Sequence, residues 1–219
     1  MDSIQLKTVS AVEAVVSALE HDIFFSFLPG EKMTENILIS RYGVSRNTLR
    51  EAMSRLVSCG ILVKIANRGV FVREITREDV REIFSLRALL EAEAIERIIK
   101  NGAETKLLLE KAELLQKSNP AENWDEYVSA DIDFHTLLVS ASGSSRLIRL
   151  YDSIISEVKL CICQSKQHIP LGVVNEISHK SVLDAISEKD LPAAKALIEK
   201  HIETATHNYE NGFENIKQE

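Results

Sequence analysis

Residues 43–56, GVSRNTLREAMSRL, set Arg46, Arg50 and Arg55 along one short stretch with a single acid, Glu51, in a chain whose net charge is −7. Leu49, Ala52, Met53 and Leu56 recur at helical spacing, with Ser45 as a cap in front and Gly60 as a stop behind. The stretch therefore reads as an amphipathic helix. Arg46 and Arg50, four apart, share its polar face, with Asn47 and Ser54 close by.

Working outward, Thr34 is a cap for a short helix through Ile37, Leu38 and Arg41, and Gly43 supplies the left-handed ending. Leu28-Pro29-Gly30 closes an earlier helix over residues 11–25, capped by Ser10, with Val12, Val15, Val16, Leu19 and Ile23 at helical spacing. Downstream, residues 61–65 and 70–72 are β-branched runs around the turn Asn67-Arg68-Gly69, a hairpin wing with a basic tip. Two short helices with a glycine turn between them make a helix-turn-helix, whose second helix enters the DNA major groove with its N-terminal residues leading. Arg46 and Arg50 can grip guanine or phosphate, and Asn47 and Thr48 can reach base edges or backbone oxygens from the same end. Asn67, Arg68 and Gly69 complete the expected contact set.

Charge divides the chain in the same place. Residues 1–75 hold nine Lys/Arg and eight Asp/Glu, which leaves 17 against 25 for the remainder. Residues 41–73 alone carry seven basic groups against Glu51, a phosphate footprint. Two domains are expected, residues 1–75 and 76–219. Three cysteines are too few and too oddly spaced for a disulfide framework or a paired zinc ribbon, and Cys161 and Cys163, two apart on a helix, are assigned to packing. With no apolar run of membrane-spanning length and no signal-peptide pattern at the start, the expectation is a soluble, cytoplasmic protein.

From Thr76 onward the pattern is helical throughout. Thr76 with Asp79 makes a capping-box-like start, and further helices are expected over about residues 103–118, 124–138, 144–167, 174–188 and 192–209. The fold class is therefore mainly α: a winged helix-turn-helix followed by an all-α bundle of six or seven helices. Within ADIDFHTLL, Asp131 and His135 stand four apart on one helix face and can share a cation. His179 and His201 lie near inward stripes of later helices, so that all four could converge. Imidazoles with one carboxylate suit zinc first, with nickel or manganese as alternatives, and leave positions open for water or an oxygen-bearing ligand.

The stretch from Leu28 to Val72 resembles the winged-helix domain of GntR-type bacterial transcription regulators, through Pro29-Gly30, Glu35, Gly43-Val44-Ser45-Arg46, Arg50-Glu51-Ala52, Leu56, Gly60, Gly69 and Phe71-Val72. The resemblance implies operator contact through Arg46 and Arg50 with the wing in the minor groove. Asn36 stands where many members carry a further DNA-contacting arginine. Residues 76 to about 209 resemble the FCD domain, the effector-binding half of one GntR subfamily, through TREDVREIFSLRALLEAEAIE, DIDFHTLLVSASG and SHKSVLDAISEKDLPAAKALIEKHI. That likeness implies a divalent metal on Asp131, His135, His179 and His201, a small organic acid at or beside it, and Arg87 near the pocket. Ser144 and Ser178 replace an asparagine and a glutamate common in the family.

Together these readings predict a ligand-responsive transcription regulator and not an enzyme: a homodimer on a palindromic operator, with repression relieved by ligand as the commoner family behaviour. Two alternatives stand beside it. One is a metal-dependent hydrolase using the Asp/His3 set, though no HExxH-type motif supplies a general base. The other is a regulator that senses the metal itself.

Overall fold

A computed structural model describes residues 10–166 and 178–212 of the chain. It divides into two compact units that meet between Glu74 and Ile75. Ile75, expected to close the first domain, belongs to the second, where its N–H donates to Gln164 Oε1 at 2.9 Å.

In the first unit, α1 (Ala11–Phe25) starts at a complete capping box: the Ser10 hydroxyl accepts from Glu13 N–H, and the Glu13 carboxylate accepts from Ser10 N–H. Helix α2 (Glu35–Tyr42) ends on Gly43, whose left-handed backbone (φ 64°, ψ 35°) turns the chain and lets its N–H reach Ile39 O. Helix α3 (Arg46–Ser58) begins two residues later on the Ser45 cap, which accepts from Thr48 N–H. The expected apolar stripe of α3 is its buried face: Leu49, Ala52, Met53 and Leu56 pack with Val15, Leu19 and Ile23 of α1 and Leu38 of α2. A second tie runs through Asp22 on α1, which accepts from Tyr42 O–H at 2.5 Å and pairs with Arg41 at 2.7 Å. Strands β1 (Leu62–Ile65) and β2 (Gly69–Val72) form an antiparallel hairpin with Leu62 opposite Val72 and Ile65 opposite Gly69. The turn takes positive φ at Asn67 (58°) and Gly69 (114°), conformations open to asparagine and glycine at low cost.

The second unit is all helix among its described residues. Helix α4 (Arg77–Asn101) rises from the Thr76/Asp79 capping box and ends on left-handed Gly102. Next come α5 (Lys106–Lys117), α6 (Trp124–Ala141), α7 (Ser145–Asp152), α8 (Ile155–Ser165), α9 (His179–Ser187) and α10 (Leu191–Gly212). Helix α10 packs along α4, and α6 lies against α4 and α5. Two sequence expectations need correcting. The single helix expected over residues 144–167 is two, α7 and α8, broken at Ser153–Ile154; no Gly or Pro marks the break, and it sits where Tyr151, Ile154 and Ile155 turn into a cluster with Ala94, Val139 and Leu147. The helix expected from residue 103 starts three residues later, after Thr105. For the helix expected over 174–188, residues 174–177 lie outside the described residues. No helix among the described residues is long and apolar enough to cross a membrane.

Candidate nucleic-acid interface and metal centre

Four of the residues expected at DNA cluster at the start of α3. Arg46, Asn47 and Arg50 are exposed there, while the Thr48 hydroxyl lies 2.8 Å from Ser45 Oγ and serves the cap as well. Neighbours on α2 steady the two arginines: Arg46 Nη2 donates to Asn36 Oδ1 at 3.1 Å, and Arg50 Nε donates to Glu35 Oε1 at 2.8 Å. The Glu35 side chain is pulled below the usual carboxylate range by that hydrogen bond. Arg55 turns away to pair with Glu51 one helical turn back. Asn67, Arg68 and Gly69 form the tip of the wing, and with Arg50, Lys32 and Lys64 they line an open groove of about 690 Å³ between α3 and the hairpin. The Arg68 guanidinium lies 5.8 Å over the Phe71 ring and Lys32 Nζ 6.0 Å, so one aromatic carries two cations beside that groove. Asn36 and Glu35 as supports of the arginines were missed in the sequence, because ten and fifteen residues separate the partners.

The second unit brings Asp131, His135, His179 and His201 together from three helices. Helix α6 carries Asp131 and His135 one turn apart, both buried. Ser178 caps α9 by accepting from Ser181 N–H, which makes His179 the first helical residue and directs it inward, 12% exposed. The buried His201 comes from α10, and its ring centroid lies 4.4 Å from that of His179. One ligand atom from each of the four lies within 4.8 Å of the others. His135 Nε2 and His179 Nε2 are 3.0 Å apart, and Asp131 Oδ1 stands 3.2 Å from the latter and 3.7 Å from the former. Three imidazoles and one carboxylate are the donor set a first-row divalent cation such as zinc takes. Ligands at about 2.1 Å from one ion would stand roughly 3.0–3.4 Å apart, which the 3.0 and 3.2 Å separations meet and the 3.7 Å one and the 4.8 Å outer limit exceed.

The charges around this set are equally ordered. Burial alone would raise the Asp131 carboxyl, but the imidazole of His135, the hydrogen bond from His179 and the Arg87 guanidinium hold it well below its ordinary value, so it stands as a carboxylate. His179 is pushed down by burial, which favours the neutral, ligating ring. Arg87, expected near an effector, is 1% exposed; its Nε donates to Glu91 Oε1 at 2.9 Å and its Nη2 lies 3.6 Å from Asp131 Oδ2. Sequence reading missed Glu91 and Tyr151. The only local signal was the four-residue spacing of Arg87 and Glu91 on α4. Of the two serines that replace family residues, Ser144 caps α7 and Ser178 caps α9, so both act on helix starts. Cys161 is buried, and burial pushes the Cys163 thiol up to about 12, in keeping with packing.

Comparison with known proteins agrees with both halves. Residues 11–72 match the model for bacterial regulatory proteins of the gntR family, and residues 82–204 match the FCD domain. The chain is 29% identical to the HTH-type transcriptional regulator YdhC of Bacillus subtilis (strain 168), over 87% of this chain and 88% of that one. It is 27% identical to the HTH-type transcriptional repressor GlaR of Escherichia coli (strain K12), over 85% and 90%. Among solved structures it is similar to a putative transcriptional regulator GntR from Rhodococcus sp. RHA1, with TM-score 0.72, 27% identity and coverage of 90% and 96%.

Proposed function

Because the chain belongs to the GntR family of bacterial transcription regulators, with an FCD domain as its helical half, we propose that it is a homodimeric repressor that releases a palindromic operator when a small organic acid binds at a divalent metal. The matched relatives are regulators, and the hydrolase alternative is set aside on that ground.

On DNA, Arg46, Asn47, Thr48 and Arg50 lead α3 into the major groove, while Asn67, Arg68 and Gly69 bring the wing alongside. One recognition helix covers only a few base pairs, and twofold pairing matches a palindrome. The exposed arginines are held by neutral or easily exchanged partners on α2, so phosphate or guanine can replace Glu35 at Arg50 without unfolding anything.

In the helical unit, Asp131, His135, His179 and His201 would hold zinc, with nickel or manganese as alternatives. A bound ion of this class supplies a Lewis-acid site for carboxylate oxygens. The chain's part is to keep Asp131 ionised and the imidazoles aimed at one point; the Arg87 guanidinium, enclosed between Glu91 and Asp131, acts through Asp131, whose carboxylate it helps to hold ionised. By linkage, an effector that weakens operator binding binds less tightly to the DNA complex by the same factor.

The observation that carries the proposal is the convergence of four ligand atoms from three helices within 4.8 Å. Its test is elemental analysis of the purified chain and of His201→Ala, joined to operator titrations with and without small acids on DNA selected from a random pool. The wild type should retain one metal per chain and lose operator affinity with some acid, and the variant should lose both metal and response. Full metal occupancy in His201→Ala would refute the ligand set. Operator affinity that follows zinc concentration with no acid present would favour the metal-sensing alternative.

A further inference from the structure

Glu91 is fully buried on α4, and both of its oxygens are taken. Oε1 accepts from Arg87 Nε at 2.9 Å and from Tyr151 O–H at 2.8 Å, and Oε2 lies 2.6 Å from His135 Nδ1. An ionised carboxylate only accepts, so His135 Nδ1 must be the donor. In the neutral ring, the form a metal ligand takes, the lone pair then lies on Nε2, the atom that faces Asp131 Oδ1 and His179 Nε2. We infer that Glu91 is a positioning residue for the metal centre: it selects the His135 tautomer and orientation that present Nε2 to the ion, without touching the ion itself.

Three further observations support this role. With three donors on its two oxygens, Glu91 is held away from ligation, and a turn of its carboxylate would strand Arg87 or Tyr151 in the core. The donors come from α4, α6 and α7, so the carboxylate ties together the helices that frame His135. A buried Arg–Glu pair also earns little net stability over apolar side chains of similar volume. Stability alone therefore leaves its presence on α4 unexplained, whereas a histidine ligand whose second nitrogen donates to a carboxylate is a recurrent way to fix a metal site.

The inference rests on the metal reading above, and its test separates the two. Zinc affinity is measured by competition with a chelating dye for the full-length wild type, Glu91→Gln and Tyr151→Phe. Glu91→Gln should bind zinc roughly 10–100-fold more weakly. Tyr151→Phe, which leaves the bond to Nδ1 in place, should change affinity much less. Equal affinity in wild type and Glu91→Gln overturns the inference and leaves the metal site standing, whereas a wild type that takes up no zinc removes both. Imidazole nitrogen NMR on histidine-labelled, chelator-treated wild type gives a second readout that needs neither metal nor a variant at Glu91, with the His135 signals assigned by their absence in His135→Gln. With the pH raised until the ring is neutral, the Nδ1-protonated tautomer is expected, and the Nε2-protonated one overturns the inference.

Discussion

Two Arg–Glu pairs of nearly equal length do different work in the two units. Arg50 and Glu35 meet at 2.8 Å with side chains 57% and 30% exposed, and Arg87 and Glu91 meet at 2.9 Å with side chains 2% and 0% exposed. Water screens the first pair, so it contributes little to stability and can be exchanged for another anion. The second is cut off from water, and each charge depends on the other and on its hydrogen bonds. Exposure, and not pair geometry, makes one arginine available to a partner and fixes the other as part of the frame.

The largest expected effect comes from breaking the buried member. Arg87→Met leaves Glu91 without its cation and should lower the unfolding free energy by about 3 kcal/mol or more in a urea titration. A loss no greater than that of a surface substitution would end the contrast. Next, Arg50→Ala should leave the thermal midpoint of the chain unchanged while weakening operator binding roughly 5- to 150-fold. An unfolded variant, or one with full operator affinity, would show that the exposed pair is not what it is taken to be.

The smallest effect concerns a third, intermediate case. Glu96 on α4 accepts from both Lys100 and Lys195, the latter on α10, and these hydrogen bonds bring its carboxyl down to about 2. A folded value below the unfolded one means that the link is fully present above the ordinary carboxylate range and is lost as pH falls toward 2. Wild type and Glu96→Gln should therefore differ slightly in unfolding midpoint at pH 6 and converge near pH 2. A gap that widens on acidification would reverse the assigned sign.

How far these features were legible differs between the units for a physical reason. Around α3, cap, stripe and stop lie within a few residues of one another, so Ser45, Gly43 and the leucines declare the helix locally. The same held for Asp131 and His135, because a helix repeats every 3.6 residues and puts positions four apart on one face. The break between α7 and α8 was not legible, since the helical spacing runs through Ser153 and only packing of Tyr151, Ile154 and Ile155 interrupts it. Nor was Glu91, whose hydrogen bond to His135 spans 44 residues.

The amino-acid sequence by itself determined the winged helix, the helical character of the remainder, the exposed arginines and the one-turn spacing of Asp131 and His135, because each follows from torsional preferences, caps and periodicity over a few residues. Only the tertiary structure decided that His179 and His201 meet them, that Glu91 fixes the His135 ring and that Arg87 is enclosed. Those outcomes depend on how α4, α6, α9 and α10 pack into one core, and no local rule places side chains that are tens of residues apart.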